Sequence, residues 1–245
     1  MDLVTFFSTN VGEQPVASIV LALKQSSLMG WTIIGVLGVA SVLAWTLIIG
    51  KWIELRRMRK LNQTLEQKLQ PNICSNVLGI TENSFGNHRS DYQAMVLNAL
   101  RSFYRFGGNY HDDDEDTFAQ RMNHTESALR RSVAKHSEEY ENKMVVLSII
   151  VTAAPFVGLL GTVWGVMDAF GAIGQGGGGT IEDLAPGVSS ALLTTVGGLV
   201  VAIPSVIFYN LLLDLVRKMT TEVENFASMI ADRIELDWLK SQEGN

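Results

Sequence analysis

Residues Ala153–Phe170 read AAPFVGLLGTVWGVMDAF. The stretch is apolar enough to cross a bilayer, yet it holds Pro155, Thr162 and Asp168. At helical spacing Ala154, Gly158, Gly161, Gly165 and Asp168 fall on one line, at i, i+4, i+7, i+11 and i+14. Small residues on such a line let a second helix backbone come close, which is how helices pack inside membranes. A neighbouring line carries Ser148, Thr152, Pro155, Leu159 and Thr162. A helix facing only lipid has no use for either line. The segment therefore reads as one helix of a membrane bundle, its hydroxyls turned toward something polar. The plainer alternative is that small residues serve packing and each hydroxyl bonds its own backbone.

A second stretch, from Leu184 to Leu213, has the same character. Gly187, Ser190, Thr194 and Gly197 lie on one stripe, and Ala191, Thr195, Gly198 and Ala202 on the next. Pro204, like Pro155, leaves a backbone carbonyl without its usual partner, and we expect a kink at each. Two helices with matching small and hydroxylated faces imply close packing through Gly158, Gly161, Gly165, Gly187 and Gly198. They also imply a shared polar interior.

The totals agree with a membrane protein that has a sizeable aqueous part. The chain has 245 residues, 47% hydrophobic and 18% charged, with a formal net charge of −6. The acidic balance argues against a nucleic-acid partner, which needs a basic face. Cys74 is the only cysteine, so neither an intrachain disulfide nor a cysteine-based metal cluster can form. His88, His111, His124 and His136 show no ligand spacing, and we expect no metal and no cofactor. GQGGGG, from Gly174, lacks the Lys and Ser/Thr of a nucleotide-binding loop. No catalytic Ser/His or Cys/His pattern is present, so an enzyme is not expected.

Charge sets the topology. Met29–Ile49 runs 21 residues without a charge, bracketed by Trp31 and Trp52. Lys51, Arg56, Arg57, Arg59 and Lys60 follow at once, whereas residues 1–28 hold only Lys24. The flank after the first span is therefore cytoplasmic and the N-terminus outside, with no cleaved signal peptide expected. We read 1–26 as an outside interfacial segment, 27–50 as the first span and 51–143 as a cytoplasmic helical domain. The second span follows at 144–170, an outside loop at 171–183, the third span at 184–213 and a cytoplasmic C-terminal helix at 214–245. Asp168 then stands at the outside mouth.

Within the cytoplasmic part, Glu54 to Leu69 reads as a helix ended by Pro71, and Tyr92 to Phe106 as another. The acidic run 112–116 reads as a solvated loop that also suits the N-terminus of the next helix. Phe118 to Lys143 is periodic and free of Gly and Pro, and we expect it to run unbroken into the second span. In the tail, Val223, Phe226, Ile230, Ile234 and Trp238 form one apolar stripe. The fold class is an all-α membrane protein with three transmembrane helices and long cytoplasmic helical extensions.

APFVGLLGTVWGVMDAF, followed by LAPGVSSALLTTVGGLVVAIPSVIFYN, closely resembles the second and third spans of the TolQ/ExbB family, related to the MotA stators. WTLIIGKW at the end of the first span is similar too, whereas residues 61–120 carry little of the family pattern. The resemblance implies an inner-membrane ring, a homopentamer, around a single-span ExbD/TolR-like partner whose membrane Asp carries the coupling proton. A TonB- or TolA-like protein is a further implied contact. The family's two membrane threonines map onto Thr162 and Thr195, and we place Ser190 and Thr194 with them on the ion pathway. The family's membrane glutamate belongs just before the ALL of the third span, where this chain has Ser190. The implied function is a channel-forming motor subunit that converts the proton gradient into work delivered to the envelope. Alternatives are a sodium-driven version of the same motor and a non-conducting scaffold that clamps a partner helix. Small-residue faces and the 118–143 stalk are expected to hold the ring. Whether a TonB-like or a Tol–Pal-like system is served is not written in these motifs.

Overall fold

A computed structural model describes residues 28–75, 77–80, 90–105, 114–176 and 180–243. The interfacial segment expected at 1–26 and the first part of the acidic run lie outside the described residues. Five helices make up almost everything described: α1 (Leu28–Ser75), α2 (Asp91–Tyr104), α3 (Glu115–Glu141), α4 (Met144–Gly176) and α5 (Ile181–Glu243). Three stretches are long and apolar enough to cross a membrane, Leu28–Gln67, Glu115–Gly174 and Leu184–Lys240. Lipid offers no partner for backbone groups, so such segments must be helices that satisfy their own hydrogen bonds.

The described residues divide into an apolar unit, within 28–49 and 143–210, and a polar unit, within 50–142 and 211–243. The apolar unit is built from the first part of α1, from α4, and from the first part of α5. Its small core joins Ile33, Leu37, Ala154 and Ala202, with Met29, Val157 and Val201 against it. Trp45 meets Phe208 at a ring separation of 5.4 Å. Outside this core the surface is large and apolar: Val36, Val39, Val42, Phe156, Leu160, Val163, Val200 and Ile203 are all exposed. A coat of that kind is untenable in water and natural in lipid.

The polar unit has the opposite organisation, with an apolar interior under a charged surface. All five residues of the tail stripe, Val223, Phe226, Ile230, Ile234 and Trp238, are buried. Phe226 stacks on Tyr92 and Trp238 on Phe118, each pair with centroids 3.9 Å apart. Such pairs are worth about 0.5–1.5 kcal/mol each beyond the area they bury. Arg59 Nε donates to Glu222 Oε2 at 3.3 Å, tying α1 to α5. Asp237 Oδ2 accepts the Val77 amide at 2.6 Å, so the turn after α1 is fastened to the same helix.

Helix ends follow local chemistry. Ser90 caps α2 by accepting from the Gln93 amide at 3.2 Å, and Asp114 caps α3 by accepting from the Thr117 amide at 3.1 Å. The Thr117 bonds hold the Asp114 carboxyl below its ordinary range. The cap therefore stabilises α3 at neutral pH, and its contribution is lost as pH falls through that lowered pKa.

Three expectations need correction. Helix α1 passes through Pro71 and ends at Ser75. Proline there removes only one bond in the last turns, where carbonyls are already short of partners. Helix α4 continues past Phe170 to Gly176, which shortens the expected outside loop. As expected of the tail, helix α5 continues from the third span into the C-terminal helix, with Pro186 and Pro204 inside it. The stalk is not continuous with the second span. Helix α3 closes on the Asn142 amide bonding Glu138 O at 3.0 Å, and Lys143 stands at φ 69° before α4 begins.

Lys143 therefore occupies the left-handed region, which costs an L-residue roughly 1–2 kcal/mol. A β-branched side chain fits there worst, and Gly or Asn best. Lys143→Val should lower stability by about 1 kcal/mol or more, while Lys143→Gly should be tolerated. Thermal unfolding in detergent reads this directly. Equal midpoints for the two variants would show that the break does not depend on this conformation.

Candidate hydroxyl site between two apolar helices

Helices α4 and α5 touch through their small residues. A Cβ added at Gly158 would lie 2.8 Å from Thr194 O, and one at Gly198 would lie 2.7 Å from Ala154 O. At Gly165 it would lie 2.7 Å from the Ala191 Cβ, and at Gly187 2.8 Å from the Ala169 Cβ. At Gly161 it would run into the Thr194 side chain, 2.6 Å from its Cβ. All five glycines expected to pack helices do so, but against each other's helix within one chain. Within the chain this close approach joins α4 to α5.

This approach brings Thr162 and Thr195 together. Their hydroxyl oxygens are 2.7 Å apart, a direct hydrogen bond between α4 and α5. Thr162 Oγ1 also lies 2.9 Å from Leu159 O, and Thr195 Oγ1 3.2 Å from Gly158 O. Two hydroxyls carry two protons. One proton occupies the bond between them and the other goes to a backbone carbonyl. The pair thus satisfies its own donors and turns only oxygen lone pairs outward, in either proton arrangement. Both residues are half-buried, at the edge of the helix contact and not sealed within it.

The other two hydroxyl residues expected on a pathway are placed differently. Thr194 is 1% exposed and bonds Ala191 O at 2.7 Å and Gly158 O at 3.1 Å. It is a packing residue, locked against the glycine face. Ser190 is also buried, at 5% exposure. So the four divide into an accessible pair, Thr162 and Thr195, and an inaccessible pair, Ser190 and Thr194. The periodicity that put Thr194 on one stripe and Thr195 on the next gave no way to tell which stripe a neighbouring helix would cover.

Pro155 and Pro204 both lie inside helices, one in α4 and one in α5. Asp168 is exposed, toward the C-terminal end of α4. From Met144 to Thr180 it is the only charged residue, and from Leu184 to Leu213 there is none. It stands six residues beyond Thr162, roughly 9 Å along the helix axis. Helices α4 and α5 therefore supply no charged side chain at the level of the threonine pair. Sequence reading missed the carbonyl of Gly158, which collects hydroxyls from Thr162, Thr194 and Thr195 at 3.1–3.3 Å. A backbone acceptor leaves no residue-type signal beyond the glycine that exposes it.

These features define a class: an all-helical protein with three membrane-length apolar helices, two of which clasp a hydroxyl pair at the edge of a glycine-lined contact. The chain belongs to the MotA/TolQ/ExbB proton channel family, whose profile matches residues 96–225. It is similar to the biopolymer transport protein ExbB of Neisseria meningitidis, 32% identical over 175 residues, covering 70% of this chain and 76% of that protein. It is also similar to the Tol-Pal system protein TolQ of Haemophilus influenzae, 30% identical over 188 residues, 76% of this chain and 80% of the relative. The TolQ of Pseudomonas aeruginosa is 28% identical over 171 residues. Relatives of both names match to a similar degree.

Proposed function

We propose that the chain is the channel-forming subunit of a proton-driven motor in the inner membrane of a bacterial cell. It acts with a single-span ExbD/TolR-like partner that brings a membrane Asp to the Thr162–Thr195 pair. In this reading five copies surround the partner helices, the N-terminus is periplasmic, the C-terminus is cytoplasmic, and the chain is not an enzyme. The observation that carries the reading is the hydroxyl pair itself, bonded across two helices and half-exposed on a largely apolar surface.

The pair suits a carboxyl group that changes protonation state. A protonated partner carboxyl donates its O–H to the outward lone pairs without disturbing either threonine. A charged carboxylate needs a donor, so one threonine must turn its proton away from a carbonyl or from its neighbour. That exchange gives up one ordinary hydrogen bond, about 1 kcal/mol, against a charge-assisted bond of about 1.5–3 kcal/mol. Both states are therefore accommodated with a small difference between them, as a group that loads and releases a proton in each cycle requires. A bare carboxylate in the bilayer centre would otherwise cost several kcal/mol. Driving force comes from the gradient, at about 2.3 kcal/mol per charge for each 100 mV. Ser190, standing where the family has a glutamate, leaves the partner as the source of the carboxylate.

The test is reconstitution in liposomes with and without the single-span partner, under an imposed pH gradient. Proton uptake should require both proteins and should not depend on sodium. The outward lone pairs also suit Na⁺, an oxygen-seeking ion, so sodium-dependent uptake would favour the sodium-driven version. Absence of any ion flux from the assembled complex would overturn the motor reading in favour of a scaffold.

A further inference from the structure

The polar unit holds a second polar centre that the motor reading does not use. We propose that Asp91, His136 and Glu139 bind one divalent transition-metal ion of the zinc class. His136 Nδ1 lies 3.1 Å from Glu139 Oε2 and 3.5 Å from Asp91 Oδ1, and all three ligand atoms lie within 4.8 Å of one another. Zinc bonds to nitrogen and carboxylate oxygen of about 2.0–2.2 Å place neighbouring ligands of a tetrahedron roughly 3.3 Å apart. The two separations around the imidazole match that edge.

The surroundings favour a cation over a simple hydrogen bond. A protonated Nδ1 has one hydrogen for two carboxylate oxygens and can point well at only one. A cation on the Nδ1 lone pair engages all three groups once the exposed Glu139 side chain closes toward Asp91, the three ligand atoms lying within 4.8 Å of one another. Asp91 and His136 are each 8% exposed at their side chains, so the Asp91 carboxylate and the imidazole nitrogens must find partners locally. Lys51, the buried cation near by, is bonded to Glu54 Oε1 and to Glu139 O at 3.3 and 3.1 Å, not to either ligand oxygen. Glu139, half-exposed, leaves one side of the centre open to water, as a three-ligand zinc site requires.

The supporting groups are already in place. Asp91 Oδ2 accepts from Tyr140 Oη and, at 3.3 Å, from Asn62 Nδ2. With that oxygen occupied, Oδ1 is the free ligand atom, and the carboxylate cannot rotate away. Asn62 is 4% exposed, and its Oδ1 has no partner among the described residues, so a buried acceptor beside the centre remains to be satisfied. Imidazole with carboxylates selects zinc-class ions over calcium and magnesium, which prefer all-oxygen sets. The ion would pin the first turn of α2 to the end of α3. Spacing rules miss it because the site takes an i, i+3 pair from one helix and its third ligand from another.

The test uses tag-free full-length protein in detergent, titrated with Zn²⁺ and with Co²⁺ as a spectroscopic stand-in. One ion per chain, a raised thermal midpoint and tetrahedral Co²⁺ absorption are expected. Glu139→Gln changes an exposed residue, leaves folding intact and should weaken binding at least about tenfold. Tyr140→Phe should keep one ion per chain but bind about 10–100-fold more weakly, as loss of a ligand-orienting group does. His136→Gln should abolish uptake. No uptake by the unaltered protein, uptake of Ca²⁺ or Mg²⁺ but not Zn²⁺, or uptake unchanged in Glu139→Gln would each overturn the assignment.

Discussion

Thr162→Val and Thr195→Val should each cut gradient-driven activity by roughly tenfold to a hundredfold while the chain still folds and assembles. Valine keeps the shape of threonine and removes the hydroxyl. The structural loss is small. The 2.7 Å bond between the two threonines is an interhelical hydrogen bond in an apolar setting, a kind that averages about 0.6 kcal/mol. The remaining threonine keeps a backbone carbonyl as partner, Leu159 O for Thr162 or Gly158 O for Thr195. No buried donor is orphaned, so stability changes little. The functional loss is larger, because a bond to a charged group is worth about 1.5–3 kcal/mol, and every 1.4 kcal/mol is a factor of ten. Proton uptake by reconstituted complexes measures the effect, and native mass spectrometry checks that assembly is retained. Full activity in both valine variants would remove the hydroxyl pair from the pathway. Ser190→Ala is the matched control: Ser190 is buried within the chain, so its change should leave flux near normal.

Gly161→Leu should disable the protein by a different route, through the fold of the chain. The new Cβ alone would sit 2.6 Å from the Thr194 Cβ, well inside van der Waals contact. Thr194 cannot swing aside, because it is buried and bonded to Ala191 O and Gly158 O. The helices must then separate, which opens the contacts at Gly158, Gly165 and Gly198 together. Overpacking of this kind costs about 1–3 kcal/mol and occasionally more. Separation also pulls Thr195 from Thr162, so activity falls with stability. The measurement is the thermal midpoint of the detergent-solubilised chain beside flux, with Gly38→Ala as control. Gly38 has nothing within 4 Å of an added Cβ, and alanine there should stabilise the helix by up to about 1 kcal/mol. A Gly161→Leu chain with an unchanged midpoint and a lowered number of subunits would return this glycine face to the interface between copies.

The polar unit shows how far separate signals reach. The tail stripe from Val223 to Trp238 announced its own burial, because one apolar line on a charged helix has a single stable use. The caps at Ser90 and Asp114 each bond an amide three positions away, so they are equally local. The Asp91–His136–Glu139 centre was invisible. Its residues are ordinary in sequence, and only the packing of α2 against α3 brings them within reach of one ion.

Residue order is enough to fix the solvent of this chain and its class. Uncharged stretches of membrane length demand helices, because lipid cannot satisfy a backbone. The glycine and threonine lines of the second and third spans are specific enough to name the family that the comparisons show. Tertiary structure alone decided what those lines are for. Periodicity states that two residues share a face; it does not state which neighbour covers that face. The contact between α4 and α5 assigned the glycines to packing within one chain, sealed Ser190 and Thr194, and left Thr162 and Thr195 at the edge. It also showed that the pair meets its own donors, which depends on distances between oxygens and carbonyls that no spacing rule contains. The break at Lys143 is of the same kind. Nothing in the run from Phe118 to Lys143 disfavours a helix, and no spacing rule marks the residue at which the backbone turns left-handed.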